Sequence, residues 1–253
     1  DAYNDTAARA RVFLLYHDGL MNTRSRSIRK DWKSSFLKLM HWPTWHIIER
    51  VDSKDAVVIL RDGASLTQDH FSPTHLDDML RASLTFGVSA LDRYVHERVI
   101  KRIVTALKSE HLTKQQEEFS IPITTAIQIS KEALAARKAG KSIRTANIVR
   151  KKVQELLHKR PFQSWREIEY AFNLLGVSNL SGQLQTAYGI GDMKPIKNQL
   201  NQIAARRNCI VHEGDLVKHE RGGTVKMQPI TRKYIEDTLD FLDQFGGNLA
   251  QVS

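Results

Sequence analysis

The chain has 253 residues, a formal net charge of +10, 41% hydrophobic and 26% charged residues, a composition that excludes disorder throughout and a length ample for one sizeable core. Its longest apolar runs, such as Val12–Tyr16 and Ala56–Leu60, fall far short of the about 20 residues of a membrane-spanning helix. No secretory signal is visible, and the single cysteine, Cys209, excludes an internal disulfide framework or a cysteine-based zinc cluster, so a reducing, cytoplasmic setting without a membrane is expected.

Helical periodicity dominates the chain from its start. Thr6–Tyr16 and Ser27–His41 read as helices, the latter with Ile28, Trp32, Phe36 and Met40 on one face. Ala56–Leu60 reads either as a buried strand or as a short helix capped by Ser53 and ended by Gly63. Residues 1–73 are therefore expected to form a mostly helical N-terminal extension. After Ser72-Pro73-Thr74, apolar residues recur at Leu76, Leu80, Leu84, Val88, Leu91, Val95, Val99, Ile103 and Leu107. Steps of three and four over that distance predict one long amphipathic helix. Another helix is expected from Pro122 to Arg137, ending at Gly140, and a third after Ser142, stopping before Pro161.

Ser164-Trp165-Arg166-Glu167 has the form of a capping box, with Ile168, Ala171, Phe172 and Leu175 on one face of the helix it opens and Gly176 as its cap. Pro195 begins a helix that carries Ile196, Leu200, Ile203 and Ile210. Leu216–Met227 alternates around Arg221-Gly222-Gly223, the pattern of a small hairpin or an ordered loop. The last helix starts at Thr231 and is expected to end near Gly246-Gly247. No P-loop or dinucleotide glycine pattern occurs. The fold class is all-α, a helical bundle with at most a small β-hairpin near 216–227.

The charge is unevenly placed. Lys131–Arg166 holds eleven basic and two acidic residues, nearly the whole excess, and Arg24–Lys38 adds six basic residues against Asp31. Such asymmetry is the footprint of a polyanion partner, RNA first among them, or else a solvated helix surface. Arg150, Lys151, Lys152 and Arg206 are the candidate RNA-binding residues, contacting backbone rather than bases.

The stretch with most chemistry runs from Ala205 to Asp215. Arg207, followed by Asn208, stands five residues before His212, at the end of a basic amphipathic helix that Gly214 can terminate. Histidine moves protons near neutral pH, arginine holds phosphate oxygens bidentately, and asparagine can orient a hydroxyl or an imidazole. Spacing alone is weak: roughly two Arg-x4–6-His matches are expected by chance, and Arg11-x5-His17 is one decoy. Arg11 precedes apolar Val12 in a helix that reads as core. Five residues span about 7.5 Å of helix and turn it by about 140°, so Arg207 and His212 share a face only if the helix ends or distorts, or if a second subunit completes the site. The plain alternative is an arginine at a helix end and a histidine capping its last carbonyls. Asp92 and His96, four apart on the long helix, are candidate supporting partners of the cleft or a simple helix-surface pair. His41, His46, His70 and His75 have no metal-site spacing, and no metal or other cofactor is expected. Cys209 reads as a small, buried apolar residue.

Arg207-Asn208-x-x-x-His212 with Glu213-Gly214-Asp215 resembles the Arg-x4–6-His signature of the HEPN superfamily (higher eukaryotes and prokaryotes nucleotide-binding domains). The Leu91-Asp92-Arg93-Tyr94-Val95-His96-Glu97 stretch is similar to the helix of the RiboL-PSP-HEPN group, and the later helix order is also similar. The resemblance covers roughly residues 74–248 as a HEPN-like helical domain. It implies a metal-independent endoribonuclease, of a toxin or antiviral defence type, in which the 2′-hydroxyl attacks the adjacent phosphate and leaves a 2′,3′-cyclic phosphate. His212 would be the general acid or base, Arg207 would hold the phosphate, and Asn208 would orient the site. The resemblance also implies a homodimer with the cleft at its two-fold interface, and an antitoxin or other defence subunit as a possible partner. The alternative is a catalytically silent HEPN module that binds RNA or a partner subunit.

Overall fold

In the computed structural model, residues 2–21, 25–27, 38, 49–51, 68–106, 114–117, 119–140, 145–217 and 226–252 are described. Among them the chain forms α1 (Ala2–Met21), strands β1 (Ser25–Ser27) and β2 (Glu49–Val51), a 3-10 turn at Gln68–Phe71, and α2 (Pro73–Ala106). There follow α3 (Lys114–Glu117), α4 (Ile123–Lys138), α5 (Thr145–Leu157), α6 (Trp165–Leu175), α7 (Leu180–Tyr188), α8 (Lys194–Glu213) and α9 (Arg232–Gln251). The fold is all-α, and none of the described helices is long and apolar enough to cross a membrane.

The organising element is α2. Its expected stripe, from Leu76 through Leu80, Leu84, Val88, Leu91, Val95 and Val99 to Ile103, is buried throughout. Ser83, Gly87, Ala90 and Ile100 are buried too, because α2 packs against α1, α5, α6, α8 and α9. Gly87 lets α9 close in: a Cβ there would lie 2.5 Å from Leu239 Cδ2. Phe162, Phe172, Phe245, Ile168 and Leu200 complete the core around it.

The N-terminal helix belongs to this core. Ala10 and Leu14 are buried, and the enclosed Ser83 hydroxyl donates to the Ala10 carbonyl at 2.7 Å. Tyr3 Oη donates to Asp243 at 2.9 Å. Arg11 is ion-paired with Asp240 and Asp243. The stretch 1–73, read as an extension, thus contributes a helix to the same packing as the domain it precedes.

Several local expectations change. The ladder in the described residues lies at β1 and β2, antiparallel, with Ser25 opposite Val51; of the hairpin expected near 216–227, the described ends form the bridge Leu216–Met227, and 218–225 lie outside the described residues. Ser27 is therefore strand, not the start of a helix; Lys38 is helical, and the remainder of Ser27–His41 lies outside the described residues, as do Ala56–Leu60 and Leu107. No capping box forms at α6. Ser164 is extended and makes no side-chain cap bond. Arg160 has taken the Glu167 carboxylate, and the Trp165 amide donates to Asn201 Oδ1. α9 does not stop at Gly246-Gly247; it runs to Gln251, because Gly246 serves a close approach, with a Cβ there only 3.1 Å from Tyr3 Oη. The sequence reading missed α7, whose N-cap Asn179 accepts from the Gly182 amide and whose C-cap Gly189 is left-handed.

Leu91 is fully buried at the middle of α2. Leu91→Ala should cost about 2–5 kcal/mol, since the surrounding helices collapse only partly into the cavity. Urea unfolding checks this; a loss below about 1 kcal/mol would mean that α2 is not the packing centre.

Candidate active site

α8 presents the motif. Pro195 sits in its first turn, Leu200, Ile203 and Ala204 face the core, and Gly214 caps it in the left-handed region at φ 63°. Asp215 follows with φ 59°, a conformation that aspartate tolerates better than most residues. The Asp215 amide donates to the Cys209 carbonyl at 3.0 Å, and the Gln228 amide to the Asp215 carbonyl at 2.8 Å.

A buried charge cluster fixes this ending. Asp215 is fully buried, and its Oδ2 accepts from Arg81 Nε at 2.7 Å and from Arg206 Nη2 at 2.8 Å. Arg81 also donates to the Gln228 carbonyl at 3.0 Å, and Arg206 to the Pro229 carbonyl at 3.1 Å. The Gln228 side chain accepts a further bond from Arg206. One carboxylate thus binds α2, α8 and the strap leading to α9. Arg206, expected to contact RNA, is instead turned inward and held by internal acceptors.

Its neighbours remain outside the cluster. Arg207 is half-buried, with its Nε enclosed and without a hydrogen-bond partner, and its Nη1 donates to Asn208 Oδ1 at 3.2 Å. Asn208 and His212 are exposed. Cys209 is a free, half-buried thiol, less enclosed than expected. The helix is regular through His212, so Arg207 and His212 stay about 140° apart around it and do not converge within one chain. Beside them, Val211, Leu216, Val217 and Met227 are exposed apolar side chains around one helix end.

No protein-family model, curated protein or solved structure matches the chain.

Other expected site residues lie elsewhere. Asp92 is about 16 Å of helix rise beyond Arg81 on α2. Its Oδ1 accepts from the Phe162 amide at 2.6 Å and its Oδ2 from Gln163 Nε2 at 3.2 Å, so it anchors the turn before α6. His96 lies edge-on to Phe162, with ring centroids 4.6 Å apart. The structure does not bring this pair to the motif. Arg150 and Lys151 are exposed on α5. Lys152 is held between Glu132 and Glu155, at 3.1 Å from each, so it is an internal bridge of the α4–α5 pair rather than an open cation. The decoy is structural: Arg11 pairs with α9, and His17 is buried against α2 near Asp77. Among the described residues no three His, Cys, Asp or Glu side chains group to hold a metal.

Sequence reasoning missed Arg81 and Gln228, and quoted Asp215 without a partner. The sequence carried no clear signal for Arg81: Asp77 and Asp78 precede it at helical spacing, the pattern of an ordinary surface ion pair.

Asp215→Ala should destabilise the chain by about 3–5 kcal/mol, because it removes the carboxylate that Arg81 and Arg206 share and leaves only Asp78, on the outer side of Arg81 at 3.2 Å, to face either guanidinium. Urea unfolding measures it, and a loss under about 1 kcal/mol would show the cluster to be dispensable.

Burial holds His96 below the ordinary histidine value, and the charge of His158 pushes the same way against Asp92 and Glu97. The stability it contributes is complete above the unfolded value of about 6.5 and is lost as pH falls from there through the folded value. His96→Gln should therefore flatten the decline in stability on acidification. An NMR titration midpoint for His96 above about 6.5 would contradict this.

Proposed function

We propose that the chain is a HEPN-type, metal-independent endoribonuclease that works as a homodimer. The observation that carries the reading is the division of labour at the end of α8. Arg206 is locked inward by Asp215, while Arg207-Asn208 and exposed His212 are left on an open end rimmed by apolar side chains. A stability role already has its arginine there; the adjacent motif has no such internal partner set.

In the proposed reaction the 2′-oxygen forms a bond to the adjacent phosphorus and the bond from phosphorus to the 5′-oxygen breaks. A proton leaves the 2′-hydroxyl and one is delivered to the departing 5′-oxygen. His212 moves the proton at a reacting oxygen, Arg207 holds the non-bridging phosphate oxygens, and Asn208 keeps Arg207 oriented through their hydrogen bond. A two-fold pairing of α8 ends supplies what one chain lacks: Arg207 of one protomer meets the partner's His212 across the axis. Val211, Leu216, Val217 and Met227 suit that contact, since exposed apolar clusters favour association. Arg150 and Lys151 remain the open cations for RNA backbone on α5. A toxin or antiviral defence role in the cytoplasm, with an antitoxin as partner, belongs to the same proposal and rests on the resemblance.

The test is cleavage of tRNA or total RNA. His212→Ala should lower the rate by about 10²–10⁴-fold while the fold persists. Arg207→Ala should do the same, and Arg207→Lys should not restore the rate, because an ammonium lacks the bidentate fork. Cleavage should survive EDTA, leave a 2′,3′-cyclic phosphate, and fail on RNA with a 2′-deoxy at the scissile position. Cleavage that persists in both alanine variants, or that EDTA abolishes, would refute the mechanism and leave the binding module.

A further inference from the structure

A second feature lies at the other end of α2. Arg98, Lys101, Arg102 and Thr105 line a cleft of about 470 Å³ whose opposite wall is Leu175 and Val177, between the end of α6 and the start of α7. The cations recur at steps of three and one, so they stand on one face of the helix within a single turn. None of the described lining residues is acidic. The side chains of Lys101 and Arg102 have no hydrogen-bond or ion-pair partner among the described residues, and both are exposed. Elsewhere in the bundle Arg11, Arg81, Arg93, Arg160, Arg206 and Arg232 each face a carboxylate.

Arg98 supplies the fixed back of the cleft. Its Nη1 donates to the Leu249 carbonyl at 2.6 Å and its Nη2 to the Val252 carbonyl at 3.0 Å. Its guanidinium also lies over the Phe172 ring at 5.1 Å. These bonds hold its charge in place without neutralising it, since carbonyls carry no net charge. Lys101 and Arg102 therefore project beside a fixed positive charge. Like charges at helical spacing repel, and an anion between them removes that repulsion. The volume is in the range of small-ligand sites and exceeds what a phosphate ion fills. Leu175 and Val177 offer an apolar surface for a base or ribose, and Thr105 Oγ1, which donates to the Lys101 carbonyl at 2.9 Å, keeps acceptor capacity for a ligand N–H or O–H.

We propose that this cleft binds a nucleotide through its phosphate, on Lys101 and Arg102, with the base or ribose against Leu175 and Val177. The nucleotide is either part of an RNA strand or free in solution. Its distance from Arg81 along α2 is about 30 Å of helix rise, so it is separate from the motif end, and binding here needs no cleavage. It can therefore pass or fail whatever the outcome for the endoribonuclease reading.

The experiment uses the full chain, its Lys101→Gln/Arg102→Gln variant, and an Arg9→Gln/Lys233→Gln variant that removes the same charge from exposed positions elsewhere. Thermal melts first establish that all three are folded. Anisotropy of a labelled single-stranded RNA decamer is followed across salt concentrations, with AMP, adenosine and inorganic phosphate as competitors, and calorimetry follows AMP directly. For an RNA source, the cleft variant should lose at least tenfold in RNA affinity and its log–log salt slope should fall by about 1.4, near 0.7 for each lost contact on a single strand. For a free nucleotide, AMP should bind the parent chain and compete better than adenosine or phosphate, and the cleft variant should lose that binding. The proposal is overturned if the cleft variant binds RNA and AMP as the parent does, if the parent binds neither, or if the control variant loses as much.

Discussion

A single buried carboxylate carries the geometry of the candidate site. Asp215 has no contact with water, and two guanidinium groups from different helices meet on one of its oxygens. A bare carboxylate in that position would be prohibitively unstable, and without it the two guanidinium groups would face each other with only Asp78 near Arg81. The three therefore support one another. Because Arg81 belongs to α2 and Arg206 to α8, the end of the motif helix is tied to the longest helix of the bundle rather than left to its own cap. The left-handed backbone at Gly214 and Asp215 follows from the same demand: the chain must turn back sharply enough to bury the side chain that comes right after the helix.

This arrangement separates stability from chemistry within adjacent residues. Arg206 and Arg207 are neighbours in sequence, but about 100° apart around α8. One direction leads to Asp215 and the strap at Gln228; the other leaves its outer nitrogens with Asn208 beside an open surface. A regular helix delivers that division without any special backbone feature. The same regularity keeps His212 away from Arg207 in one chain, which makes the surrounding exposed apolar side chains part of the functional question rather than an incidental roughness.

Periodicity made the helices legible. The apolar stripe of α2 is buried from Leu76 to Ile103, and the starts and stops at Pro195, Gly176, Gly214 and Thr231 agree with local chemistry. What failed were features whose meaning depends on a distant partner. Gly246 resembles a helix stop, but it is the place where Tyr3 crosses α9. Glu167 stands at a capping-box position, but Arg160 reaches it first. Asp92 carries a carboxylate at an attractive spacing from His96, yet loop amides that fold back from Phe162 and Gln163 occupy both its oxygens. Arg206 and Lys152 read as open cations because sequence shows charge and not the carboxylates that come to face it. The motif residues were legible as a pattern, and the clamp that positions them was not, because its partners are more than a hundred residues apart in the chain.

The α4–α5 pair differs from the rest of the fold in how it is secured. α4 buries only Ala136, and Ile123, Ile127 and Leu134 stay exposed along it. Its attachment is to α5, reinforced by Lys152 between Glu132 and Glu155, while α5 inserts Ile148, Val153 and Leu157 toward the bundle. Little apolar area is therefore exposed to water when α4 lifts away. Its backbone amides are therefore expected to exchange with solvent at a lower free energy than those of α2. The basic stretch from Lys131 to Arg166 thus begins on α4, a helix tied to the bundle through α5 and its ion pairs rather than through a core of its own.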